Sequence, residues 1–150
     1  MHGNHYARLG AMIALSFVAM YFLMYAMVDE FASVYASFNQ VYMAGLMAAS
    51  MVPIEIGLMW SMYKNKTANV IIVVLSIVAL AGFFFMIRQQ TAIADNQFLR
   101  SMIPHHSGAI LMCREATISD SAIKKLCDEI IQSQRSEINQ MKALLEKGSK

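Results

Sequence analysis

Two adjacent imidazoles, His105 and His106, stand between the thioethers of Met102 and Met112 within less than four helical turns. Further along, Gln134-x-x-Glu137-x-x-x-Met141 sets another thioether beside two polar side chains. Neutral imidazole and thioether suit a soft cation such as Cu(I), whereas carboxylate and carbonyl oxygens suit Mg or Ca. The chemistry expected is metal binding. Met102, His106 and Met141 are the first candidate ligands, His105 and Met112 form a second cluster, and Gln134 and Glu137 would orient an imidazole or complete the coordination. Pro104 pins the helix start, or a kink, just before the histidine pair.

Helices must position these groups. The pattern from Asp95 to Lys147 predicts two, Asp95 to Ala116 and about Asp120 to Leu145, with Ser119 or Asp120 as N-cap and Gly148 as stop signal. The connection Thr117-Ile118-Ser119 is short enough to force an antiparallel hairpin. At roughly 100° per residue, Asp95, Met102, His106 and Cys113 share one stripe, with His105 and Met112 on its flank. On the second helix Cys127, Ile130, Gln134, Glu137, Met141 and Leu144 recur at steps of three and four. A fold near Asp120 sets Cys113 opposite Cys127, His106 opposite Gln134, and the Met102 level opposite Glu137 to Met141. Polar groups of the two seams then meet at one depth, where burial costs free energy unless each finds a partner. In an oxidising compartment the facing cysteines invite a disulfide, the preferred assignment; two thiolate ligands for the same metal are the competing one. Two helices cannot enclose a core, so the hairpin is expected to pair with a second copy, giving a homo-oligomeric bundle with ligands from two chains, or to dock on other helices.

The rest of the chain is apolar. It is 57% hydrophobic overall, high for a soluble domain. Three runs, Leu9 to Met27, Val41 to Met62 and Ala68 to Ile87, match the roughly 20 apolar residues that a bilayer core requires, and only Glu55 interrupts them. The first run is long for the apolar part of a signal peptide and is read as a crossing. Arg8, Lys64 and Lys66 are the only bases before Arg88, and the loop between the first two runs carries Asp29 and Glu30 but no base. The positive-inside tendency therefore puts the N-terminus in the cytoplasm and the region after Arg88 outside, the expected setting being a bacterial inner membrane with a periplasmic C-terminal domain. Trp60 and Tyr63 would join the inner aromatic belt. The net charge of +2 is too small to imply a nucleic-acid partner. The expected fold is all-α: a three-helix transmembrane anchor over 1–90 and an outer-face hairpin over 91–150.

Within the crossings, Ala44/Ala48 and Gly45/Ala49 are small residues four apart, marking the second helix as the central one. Met24, Met27, Met43, Met47 and Met86 all fall at the outer end, where they would form a thioether patch passing Cu(I) to the hairpin, or simply adaptable packing. The third crossing shows no polar handle and serves as an anchor, its helix free to continue toward Asp95. Glu55, two residues after Pro53, is the one acid within a crossing; a hydrogen-bonding role near the lysine loop competes with transport. His2 and His5, three apart, are expected to be an ordinary polar start.

The run from Phe98 to Ile110, FLRSMIPHHSGAI, followed by Gln134-x-x-Glu137-Ile138-x-x-Met141, resembles the ferritin-like domain-of-unknown-function family 305, which includes periplasmic copper-binding proteins of the CopM type. The resemblance covers the last part of the chain, and the crossings are similar to those of membrane-anchored members. It implies a helical metal-binding domain linked to copper or silver tolerance. Met102, His105, His106, Met112 and Met141 match the motif's ligands, and Asp95 matches as well.

The expected function is thus copper buffering, chaperoning or tolerance by a membrane-tethered protein that takes Cu(I), with Cu(II) or Ag(I) as alternatives. Catalysis is not expected: no glutamate has a histidine three residues on, as di-iron oxidases require. The alternative is a structural or assembly protein whose hairpin only oligomerises.

Overall fold

A computed structural model describes residues 5–148. Among these the chain is all-α, with helices α1 (His5–Leu23), α2 (Phe38–Leu58), α3 (Lys66–Arg88), α4 (Asp95–Glu115) and α5 (Ser121–Gly148) and no strand. The three expected runs are helices long and apolar enough to cross a membrane. The first starts earlier than expected and gives way at Met24–Met27 to a 3-10 turn, with another at Phe31–Ser33.

The chain forms two compact units, one holding the described residues of Met1–Met24 with Asn39–Thr91, the other Tyr25–Phe38 with those of Ala92–Lys150. The expected division into 1–90 and 91–150 is corrected in one respect: the connection between α1 and α2 belongs with the hairpin. Asp29 N–H donates to Ser107 Oγ at 2.9 Å, and Phe38 N–H donates to Gln97 Oε1 at 2.9 Å. The buried Asp29 carboxylate meets Arg114 Nη1 at 2.7 Å, an ionic contact without hydrogen-bond alignment. Gly108 permits this approach, because a Cβ there would lie 3.2 Å from the Met27 carbonyl oxygen.

In the first unit α2 carries most of the buried residues, among them Ala44, Gly45, Ala48 and Ala49. Small side chains let helix backbones approach closely in lipid. At Gly45 the ring of Phe83 on α3 occupies the space, and a Cβ would come within 2.6 Å of it. Leu9, Val52, Ile56 and Tyr63 pack the end where α1 begins and α2 finishes. The third helix does have a polar handle, contrary to expectation. Asn69 is fully buried, accepting from Tyr6 Oη–H at 2.7 Å and donating to the Tyr63 carbonyl at 3.0 Å. Asn65 caps α3 by accepting the Ala68 N–H at 3.0 Å. Tyr63 is buried rather than set in an aromatic belt. Lys66 donates to the carbonyls of Trp60 and Tyr63 instead of reaching Glu55.

The third helix also stops where it was expected to continue. Thr91 N–H donates to the Met86 carbonyl at 3.0 Å and Gln90 N–H to the Ile87 carbonyl at 3.3 Å, the paired bonds of a Schellman ending. Gln90 sits at φ 50° and Ala92 at φ 57°, left-handed backbone that breaks the helix.

In the second unit α4 and α5 form the expected hairpin. Asp120 is the cap, its Oδ1 accepting the N–H groups of Ala122 and Ile123 at 2.8 and 3.0 Å. Ile103, Ile110, Ile138 and Met141 form the core, joined by Tyr35, Leu99, Met102, Ile131 and Leu145. The buried stripe of α5 is thus turned toward Ile131, Ile138 and Leu145, and Leu144, expected in the seam, is exposed. Tyr35 of the docked connection packs against the same core. Pro104 lies inside α4 rather than at its start, so its missing N–H leaves the Arg100 carbonyl without the usual helical donor.

Candidate metal centre

The hairpin seam brings His106 of α4 against Glu137 of α5, with Nε2 2.7 Å from Glu137 Oε2. The other ring nitrogen, Nδ1, lies 2.9 Å from the Met102 carbonyl oxygen. A carbonyl only accepts, so Nδ1–H donates and fixes the ring. Nε2 is then the nitrogen able to exchange a proton for a metal ion. The carboxylate oxygen likewise only accepts, so this contact needs a hydrogen on Nε2, which a metal ion bound there would replace.

The second carboxylate oxygen of Glu137 accepts from Ser133 Oγ–H at 2.7 Å, one turn back on α5. The Ser133 hydroxyl, and after it the His106 ring, hold the Glu137 carboxyl below the usual carboxylate range, against a smaller opposing effect of burial. Sequence reasoning missed Ser133. Its signal was the four-residue spacing to Glu137 on one helix face.

The partner of His106 was expected to be Gln134, with Glu137 at the Met102 level. The structure pairs His106 with Glu137 instead. Side chains on a helix lean toward its N-terminus, so in an antiparallel pair His106 and Glu137 lean toward each other across the offset. Gln134 is half-buried one turn nearer the loop. Met141 is buried and Met102 packs in the same cluster. Each is one turn from the His106–Glu137 contact, on the side away from the loop, so the four side chains occupy adjoining levels of one seam.

The second proposed cluster is not enclosed. His105 is exposed, its ring edge-on to His106 with centroids 6.1 Å apart, and Met112 is 54% exposed. Seven residues apart, they share an outward face with Phe98. Asp95 lies in the exposed first turn of α4, more than two turns from the pair, where its charge complements the helix dipole. Cys113 and Cys127 are joined by a disulfide with Cα atoms 5.2 Å apart, so neither sulfur is a thiolate ligand.

The five methionines placed at the outer end are divided between the units: Met24, Met43, Met47 and Met86 belong to the first and Met27 to the second. Met43 and Met47 are exposed on α2, because Ala44, Gly45, Ala48 and Ala49 take its packed face. His2 lies outside the described residues. Among those described, no three His, Cys, Asp or Glu side chains converge. A centre on His106 and Glu137 therefore needs the thioethers of Met102 and Met141, or donors from another chain.

Residues 86–145 match the family model described as Domain of unknown function (DUF305). The chain is also similar to the "Uncharacterized protein L153" of Acanthamoeba polyphaga mimivirus, 36% identical over 138 residues that cover 90% of this chain and 89% of that protein. No solved structure matches it.

Proposed function

The chain belongs to the DUF305 family, and on that premise we propose that it is a membrane-tethered binding protein for a soft metal ion, Cu(I) first and Ag(I) or Cu(II) after it, which it buffers or passes on. One observation carries the proposal: His106 Nε2 held 2.7 Å from Glu137 Oε2, one helical turn from Met102 and Met141. Imidazole and thioether favour Cu(I), the Met102 carbonyl orients the ring through Nδ1–H, and the Glu137 carboxylate would neutralise the ion. This is a CopM-type role in a membrane-anchored form, with the three apolar helices in a bilayer and the hairpin on the outer face. The position of Arg8, Lys64 and Lys66 supports that orientation. His105 and Met112 are exposed, and a second copy of the hairpin packed on that face would complete the ligand set. The proposal involves no catalysis.

Metal analysis of the detergent-purified full chain tests it, comparing wild type with a His105→Ala/His106→Ala variant. The wild type is expected to hold Cu(I) through the hairpin, and the variant to lose that equivalent while keeping its helix content. Affinity should also fall as pH drops, since imidazole ligates only when neutral whereas thioether needs no deprotonation. Unchanged copper binding in the variant would exclude the histidines.

A second proposal is a structural protein whose hairpin only oligomerises. The exposed apolar side chains Phe98, Ile123, Leu126 and Leu144 favour it. Self-association that is independent of metal, together with no copper uptake, would select it.

A further inference from the structure

The first unit holds a separate set of soft donors, far along the sequence from the hairpin. At the start of α1, His5, Leu9 and Met12 follow one another at steps of four and three, and Glu55 near the end of α2 is followed at the same steps by Met59 and Met62 in the turn after it. In α1 such spacing keeps side chains on one helix face. Past Leu58 the chain forms a turn, with Met59 N–H donating to the Glu55 carbonyl at 3.0 Å and Met62 N–H to the Met59 carbonyl at 2.9 Å. Together with Arg8 and Tyr63 these residues line a cavity of about 260 Å³.

We propose that this cavity binds a soft monovalent cation of the Cu(I) or Ag(I) class, with the thioethers of Met12, Met59 and Met62 and the His5 imidazole as donors. Two arguments support it. Thioether is a poor ligand for hard cations and a good one for Cu(I), and the cavity offers a single carboxylate. Methionine is flexible enough to fill gaps, yet here three of them border open space. Glu55 is an acid inside an apolar helix, where an ionisable group calls for a partner. Its contact with Tyr63 Oη is a long one, at 3.5 Å. A monovalent cation held by neutral thioethers would add one positive charge to a lining that carries one acid, Glu55, and one base, Arg8. Arg8 is exposed and lines the same cavity. No residue is shared with the hairpin centre, so this site stands or falls independently of it.

The test uses the full chain in detergent, with Cu(I) kept reduced by ascorbate and competed against a chromophoric chelator, and with Ag(I) as a redox-inert check. In the His105→Ala/His106→Ala background the expected result is one remaining equivalent of Cu(I), with sulfur neighbours in its X-ray absorption spectrum. Adding Met12→Leu, Met59→Leu and Met62→Leu, which keep side-chain volume, should abolish that equivalent. Met12→Leu alone, the mildest change, should weaken it by about tenfold or more. If the folded His105→Ala/His106→Ala protein binds no Cu(I), or if the methionine changes leave its stoichiometry and affinity unaltered, the cavity is not a metal site. A wild type whose single equivalent responds to the methionines and not to His105 and His106 would uphold the cavity and overturn the hairpin proposal.

Discussion

Removing the disulfide by Cys113→Ser/Cys127→Ser separates its structural role from metal binding. The two cysteines are 14 residues apart in sequence, and closing a loop of that size stabilises a fold by about 3 kcal/mol in the chain-entropy description. Beyond the Arg114–Asp29 contact and the Asp120 cap, little is packed at that end of the hairpin. Met112, Ile123 and Leu126 around the loop are half or more exposed, and the buried core begins at Ile110 and runs away from it. The loss should therefore appear locally, as fraying of the last turns of α4 and the first turns of α5. Hydrogen exchange on the detergent-solubilised chain is the assay. Amides near Cys113 and Cys127 should lose about a hundredfold in protection, the equivalent of that energy, while those around Asn69 keep theirs. Copper stoichiometry should not change, because neither sulfur is a thiolate. Unaltered exchange around the loop would refute the stapling argument, and copper lost with the cysteines would restore them as ligands.

Two further outcomes follow from packing and charge. Gly45→Ala should destabilise the first unit by roughly 1–3 kcal/mol, the usual cost of overpacking, because its Cβ would meet the Phe83 ring at 2.6 Å. Phe83→Leu in the same chain should recover most of the loss, and thermal unfolding that shows equal destabilisation with and without it would contradict the close-approach account. The Glu137 carboxyl is held below its usual range by Ser133 and His106. Its contribution to stability is therefore complete above the ordinary carboxylate range and lost as pH falls through its own lower range. Glu137→Gln should flatten the acid side of a melting-temperature profile, and superimposable profiles would rule the pair out as a stabilising contact.

Local chemistry was legible without coordinates. Hydrophobic run length marked α1, α2 and α3, the three-and-four spacing marked α4 and α5, and Asp120 marked the cap, because each depends on residues within a turn or two of one another. The short connection also set Cys113 opposite Cys127. Tertiary structure alone decided the partners separated by distance along the chain. It docked Tyr25–Phe38 on the hairpin through Asp29, Ser107 and Arg114, buried Asn69 between Tyr6 and Tyr63, and placed Met12 with Met59 around one cavity. It also gave His106 to Glu137 rather than Gln134 and turned His105 and Met112 outward. Helical periodicity specifies the face on which a side chain emerges, whereas its partner depends on the lean of both side chains and the offset between their helices, and those exist only once the chain has packed.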